Sequence, residues 1–271
     1  MYDPFASDVS TKQGRGTLPD WLEYGYLTRN YTRSISRTVK YAYNDLPLSQ
    51  VAQGLRLTND YNKYLNRSAN WQNIWNSKAK AKGYTYKNFI QPRNYDLKFN
   101  FTNYDFMSCG GCYWGSNVYK NKPVEYGFLP VFDIAKLIQL MGGETHIHSA
   151  NNNLYAFYGK EIVNVGNEPS IIVPFLLNCI NQQWRSVELV RYIMRNNFHS
   201  GVKGLPGNPY GGALQAWVIF NMIGISGSKW HHNIPHYIAV FSKFEAKIGK
   251  RCDFPNCDKE LILWRIFMFS Q

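Results

Sequence analysis

The chain has 271 residues, of which 45% are hydrophobic and only 18% charged. That composition supplies a sizeable core and excludes an intrinsically disordered chain. The formal net charge is +12, but the lysines and arginines are scattered; the densest run, Lys78 to Lys82, reads as solvated loop, so nucleic acid is not expected as a partner.

In chain order, residues 1–33 are polar and glycine-containing and read as loop. Ser34 to Leu55 carries Ile35, Val39, Ala42 and Leu46 at helical spacing. Pro47 is expected to kink or split that helix. Thr58 suits an N-cap for a second helix to about Asn76, with a stripe of Tyr61, Tyr64, Leu65, Ser68, Trp71 and Trp75. Lys78 to Tyr119 is a long irregular segment rich in Tyr, Asn, Phe and Gly, the kind of loop that carries function. Val131 to Met141 is a helix with Ile134, Leu137, Ile138 and Met141 on one side, stopped by Gly142-Gly143. Glu144 to Val165 is weakly patterned and suits short strands. Gly166 to Ser170 is a turn, followed by an apolar helix to Ile180. Ser186 caps another helix through Phe198, carrying Val187, Val190, Ile193 and Met194.

The stretch from Gly204 to Trp217 stands out. Four glycines and two prolines within nine residues fix a special backbone path. It runs into a segment, Gly211 to Ile223, that is apolar nearly all round and is expected to be buried on all sides. Beyond Gly224 the pattern breaks up, and the apolar tail Leu261 to Phe269 has no clear partner. The expected fold class is all-α: antiparallel helix hairpins with long loops, in two layers, as in a helical toroid. No run reaches the roughly 18 apolar residues of a membrane span, so no membrane is expected.

Five cysteines are present, Cys109, Cys112, Cys179, Cys252 and Cys257. Cys109-Gly-Gly-Cys112 suits a redox pair or half of a four-cysteine zinc site, with the more loosely spaced Cys252 and Cys257 as its other half; a local disulfide or free thiols are preferred. His146-Ile147-His148 suits a metal or a solvated loop, and His231-His232 has no partner pattern. Asn30-Tyr31-Thr32, Asn66-Arg67-Ser68 and Asn100-Phe101-Thr102 are glycosylation sequons that suit a secreted protein, yet no apolar signal segment follows Met1. One resolution is that the original N-terminus is missing; localisation stays open.

Several stretches taken in order resemble glycoside hydrolase family 92, the exo-acting α-mannosidases, in its fungal form. Leu18-Pro19-Asp20-Trp21-Leu22-Glu23-Tyr24-Gly25-Tyr26 resembles the segment ahead of a family helix. Ser36-Arg37-Thr38-Val39-Lys40-Tyr41-Ala42-Tyr43-Asn44-Asp45 is similar to the helix motif S-x-T-L-E-Y-A-Y-D-D. Tyr64 to Trp71, Gln91-Pro92-Arg93-Asn94, Cys109 to Gly115, Asp133 to Ile138, Gly166 to Ser170 and the Gly204 stretch continue the series. Together they cover about residues 17–245. The resemblance implies part of an (α/α)6 toroid over residues 34–245, after an N-terminal loop segment (1–33) and before an unassigned tail (246–271). The family's β-sandwich and the first half of its toroid have no counterpart here. It further implies a calcium-dependent, inverting α-1,2-mannosidase acting on mannose-containing glycans. Family members are often secreted.

Inverting glycoside hydrolysis needs two carboxyls, one to protonate the leaving oxygen and one to activate a water. The family's acid is the glutamate of an E-G-x-x-W pattern, and Lys120 stands at that position. The family's base lies in G-L-P-G-N-D-D-x-G, and Pro209 and Tyr210 stand where its acidic residues belong. A lysine or a tyrosine titrating near 10 supplies no carboxylate. Phe132 replaces a histidine expected beside Asp133, and Ile171 and Ile172 replace polar residues after Ser170. Glu125 is the one carboxylate close to the lost acid and the candidate for rescue. Substrate contact is expected from Trp114, by stacking, and from Glu125, Asn167, Glu168 and Asn208; Trp217, inside the apolar helix, reads as core. Asn167 and Glu168 are the expected calcium ligands, or equally the cap of the following helix; two oxygens fall short of the six to eight that calcium prefers.

The sequence therefore favours a truncated and catalytically impaired relative of the family's mannosidases. A non-catalytic module that binds glycan or protein is the alternative. A product without a function of its own, with exposed inner helices, is the third. An uncovered half toroid would call for a partner chain.

Overall fold

Helix α2, Ser34–Gly54, carries the N-terminal part of the chain. Its buried face runs through Ile35, Thr38, Ala42, Asp45, Ser49 and Ala52, an i, i+3/i+4 series. The helix passes straight through Pro47 rather than splitting there. Pro47 is exposed, so its ring has room and water can solvate the carbonyl that loses its partner. In the computed structural model the described residues are 15–80, 87–99, 104–108, 116–143, 164–207, 210–223, 244–246 and 264–266. Two compact units divide them, Met1–Ile180 and Asn181–Gln271.

In the first unit, a short helix α1, Leu18–Glu23, forms where loop was expected; Pro19 sits in its first turn, where the missing N–H costs nothing. Trp21 of α1 is buried edge-on to Tyr41, ring centres 5.7 Å apart. Its Nε1 donates to Asp45 at 3.2 Å, and Arg15 closes the same carboxylate at 2.5 Å. Thr38 Oγ1 accepts the Leu27 N–H at 3.0 Å and donates to the Ser34 carbonyl, fixing the α1–α2 connection onto α2.

Helix α3, Thr58–Ser68, is shorter than expected and begins without a side-chain cap from Thr58. A 3-10 turn, Ala69–Ile74, follows, and the chain then turns extended at Trp75. Strand β1, Trp75–Lys80, pairs antiparallel with β2, Lys87–Ile90, in the register Trp75 to Ile90 and Lys80 to Lys87. The tryptophans thus turn the chain rather than extend a helical stripe: Trp71 and Trp75 pack edge-to-face at 5.9 Å, both buried. A short helix α4, Pro123–Tyr126, is followed by a 3-10 turn, Val131–Asp133, and by α5, Ile134–Leu140. Leu137 within it and Met141 at its C-cap are buried, and Gly142 and Gly143 follow with φ of 98° and 81°. A thirteen-residue 3-10 helix, Glu168–Ile180, completes the unit, with Ser170, Val173, Leu177 and Ile180 inside.

In the second unit, α6, Gln183–Asn197, starts three residues before Ser186, which lies buried inside it instead of capping it. Its inner face is Ser186, Leu189, Val190 and Ile193. A 3-10 turn at Tyr210–Gly212 leads into α7, Ala213–Ile223. Helix α7 is not buried all round: Leu214, Trp217 and Ile223 are inside, while Ile219 and Phe220 are 49% and 41% exposed. The tail does have a partner, since β4, Trp264–Ile266, pairs antiparallel with β3, Phe244–Ala246. The fold is helix-rich as expected, with two short hairpins added. Among the described residues, no helix is long and apolar enough to cross a membrane.

Candidate functional site

The loop 116–122 is built on the first turn of α2. Arg33 adopts left-handed backbone, φ 58°, and gives its N–H to the Ser116 carbonyl at 2.6 Å. Ile35 N–H donates to Asn117 O at 2.9 Å, and Ser34 Oγ to Asn117 Oδ1 at 3.2 Å. The loop carbonyls thereby take up N–H groups that a helix start leaves without partners. Lys120 follows, also left-handed at φ 68°, and Pro123 then opens α4.

Glu125 lies at the third position of α4 and is 1% exposed. Its Oε2 reaches back to the Lys122 N–H at 2.7 Å, a capping contact. Its Oε1 accepts Ser170 Oγ at 2.5 Å and Asn164 N–H at 3.2 Å, from residues 45 and 39 positions away. Asn121, fully buried, donates to Ser170 Oγ at 3.2 Å. Asn167 donates to the Lys120 carbonyl at 3.0 Å and to Asn121 Oδ1. Two segments distant in sequence are therefore sewn together around one carboxylate. Burial pushes the Glu125 pKa above the ordinary carboxylate value, and the three donors pull the other way without winning. The same burial holds the Tyr126 phenol up at about 12, its OH donating to Tyr119 O at 2.7 Å.

Lys120 is exposed on this loop, its ammonium 5.9 Å from the centre of the Tyr119 ring. Asn167 sits in the turn ahead of the 3-10 helix, and its amide donates to the Lys120 carbonyl. Glu168 is the first residue of that helix. Asp133 is held at 3.0 Å by the Trp71 indole and at 3.2 Å by Gln72, and Phe132 packs against Tyr43. Trp217 stacks on Phe198 at 5.8 Å inside the second unit, which is the core placement the sequence suggested. Tyr210 begins the 3-10 turn ahead of α7. Trp114, Asn208, Pro209, the His146 and His231 pairs, Cys109, Cys112, Cys252 and Cys257 lie outside the described residues. Cys179 is a half-buried thiol whose pKa burial raises.

Sequence reasoning missed Ser170 and Asn164 as partners of Glu125, and Asn121 as the donor behind Ser170. The only signal was the polar triplet Asn164, Asn167 and Ser170 around a turn.

The oxygens near Asn167 are already engaged: the Lys120 carbonyl and Asn121 Oδ1 both accept its amide. Among the described residues, no three His, Cys, Asp or Glu side chains gather as metal ligands. With the Lys120 ammonium on the same loop, the described residues fit a calcium ion poorly.

Comparison with known proteins gives a consistent answer. The model of the glycosyl hydrolase family 92 catalytic domain matches residues 2–228. An uncharacterized secreted glycosidase of Arthroderma benhamiae is 30% identical over 267 residues, covering 90% of this chain and 34% of the relative. The chain thus spans about a third of that relative's length. A family GH92 α-mannosidase of Bacteroides thetaiotaomicron is similar in structure, with a TM-score of 0.64 at 25% identity over 76% of this chain and 26% of the other. A family GH92 inverting mannosidase of Bacteroides thetaiotaomicron VPI-5482 shares the fold, with a TM-score of 0.64 at 20% identity over 81% of this chain and 30% of the other.

Proposed function

The chain belongs to glycosyl hydrolase family 92, and we propose that within it this protein binds mannose-containing glycan without hydrolysing it at the rate of an intact family member. The supporting observation is the condition of Glu125. In sequence it is the carboxylate nearest the position of the missing acid, and it is buried and engaged by three donors. A general acid must reach the leaving oxygen within hydrogen-bond distance. Glu125 would have to give up the tie between the Lys122 and Ser170 segments to do so. Lys120, the residue exposed at the acid's position, has no carboxyl to offer. At the base's position Pro209 and Tyr210 offer none either.

What this chain's own residues do, in this reading, is hold and orient. The Asn121–Ser170–Glu125 network fixes the loop that presents Lys120 and Asn167. The family's calcium is expected from the resemblance alone. The test is incubation with α-1,2-mannobioside, with calcium present, while heat of binding is measured in parallel. Binding without release of mannose is the expected result. Release of mannose that Glu125→Gln or a chelator abolishes would show a working enzyme.

A protein-binding reading has its own observation. Leu48, Val51, Leu55 and Leu57, at the end of α2 and just after it, are 44% to 65% exposed, a run of apolar surface that suits a partner chain. Light scattering decides between the readings: a monomer at high concentration removes self-association.

A further inference from the structure

The sequon Asn30-Tyr31-Thr32 lies in the connection between α1 and α2. There the chain makes a tight turn, Thr28 to Tyr31, closed by the Tyr31 N–H on the Thr28 carbonyl at 3.2 Å. The turn is pinned to the rest of its unit. The Asp20 carboxylate accepts the Thr28 N–H at 2.8 Å, and the Arg93 carbonyl accepts the Arg29 N–H at 3.2 Å. Asn30 takes the third position of the turn, a place that suits asparagine, and both it and Arg29 are exposed. A bulky hydrophilic group on the Asn30 amide would stand in water and leave the core untouched.

The Thr32 hydroxyl has no use in the folded chain. Its Oγ1 is buried and has no hydrogen-bond partner among the described residues. A buried hydroxyl without a partner costs stability, so a valine of the same shape would serve the fold as well or better. What explains a threonine here is a use outside the folded state. The transferase that modifies Asn-x-Ser/Thr needs that hydroxyl and reads the sequon as extended chain, before the fold hides it. The sequon Asn66-Arg67-Ser68 gives the contrast. Asn66 is also exposed, but it lies inside α3, and Ser68 Oγ donates to the Leu65 carbonyl at 2.7 Å. Ser68 therefore has its reason in the fold. Asn100 to Thr102 lies outside the described residues.

We propose that Asn30 is a site of N-glycosylation. Asn30 Nδ2 bonds to the anomeric carbon of the first N-acetylglucosamine of a polyprenyl-pyrophosphate-linked oligosaccharide. The bond from that carbon to the pyrophosphate oxygen breaks, the polyprenyl pyrophosphate leaves, and the amide gives up one proton. Nothing is oxidised or reduced. The proposal places synthesis of the chain in the secretory pathway, and it stands apart from what the protein binds.

The test is expression of the whole chain behind a yeast secretion leader, with protein collected from the medium and from the secretory membranes. Peptide N-glycosidase in heavy-oxygen water then marks each formerly glycosylated asparagine as heavy aspartate, which mass spectrometry of the peptides locates. Asn30 should be marked in most molecules and Asn66 in few. Asn30→Gln and, separately, Thr32→Val should each remove the mark at position 30, while Thr32→Ser should keep it. An unmarked Asn30 in the wild type overturns the proposal. Asn66 marked as fully as Asn30 overturns the reasoning that singles Asn30 out. A second measurement reads the hydroxyl without the sugar. In protein made in bacteria that lack the transferase, Thr32→Val should leave the urea midpoint unchanged or raise it. A lower midpoint would give the hydroxyl a place in the fold and overturn the inference drawn from it.

Discussion

Glu125→Gln is the most informative change in the described structure. The substitution keeps the size of the side chain but offers one acceptor where the carboxylate offers two. With the amide oxygen placed toward Ser170 and Asn164, the amide nitrogen faces the Lys122 N–H, formerly bonded at 2.7 Å. One buried donor is left unpaired, at a cost of about 1–3 kcal/mol. The wild-type carboxyl brings a pH dependence that glutamine lacks. Its folded pKa is raised by burial, so its contribution to stability is complete below the unfolded carboxyl pKa. That contribution is lost as pH rises through the folded value. The wild type should therefore lead the variant most at acid pH, and its lead should shrink toward neutrality. Urea unfolding of both proteins from about pH 4 to pH 8 measures the difference, and the other titrating groups cancel. A lead that grows with pH would mean that the three donors outweigh burial, and the reasoning about this carboxyl would fall.

Other consequences are open to direct measurement. Gly204→Ala places a Cβ 1.7 Å from the His199 carbonyl oxygen, so the turn closed by His199 N–H to Gly204 O at 3.1 Å must open; a loss of roughly 1–3 kcal/mol in denaturant unfolding is expected, and an unchanged midpoint would contradict the close approach. Asp45→Ala strands the Arg15 guanidinium and the Trp21 indole on a carboxylate site that is wholly buried; about 3–5 kcal/mol should be lost, against which a variant as stable as wild type would count. Tyr126→Phe removes the 2.7 Å bond to the Tyr119 carbonyl and should cost about 1 kcal/mol; a neutral effect would mean that water or another donor serves that carbonyl.

Much of the fold was legible in the sequence because it rests on local rules. The helical spacing in Ser34–Leu55, the Gly142-Gly143 stop and the apolar run into Ile223 all correspond to elements observed. What was illegible depended on context. Pro47 reads as a breaker, yet an exposed position in a helix otherwise anchored by buried residues tolerates it. The alternation that begins at Trp75 was hidden behind a stripe of aromatics that fits a helix equally well. Helix α7 is apolar all round, but only packing decides how much of it is covered.

The site divides in the same way. Placing Lys120, Pro209 and Tyr210 at the family's carboxylate positions is a reading of motif order alone. That Glu125 is buried and sewn to Asn164 and Ser170 is beyond such a reading, because its partners lie 39 and 45 residues on.

The measurement that tests the central claim most directly is a single NMR sample of the whole chain with α-1,2-mannobioside and calcium. Saturation transfer reports whether the sugar binds, and the anomeric protons report whether the bond is cut. The account predicts transfer to the disaccharide and no growth of free mannose. Free mannose accumulating, and ceasing to do so in the Glu125→Gln protein, would contradict it.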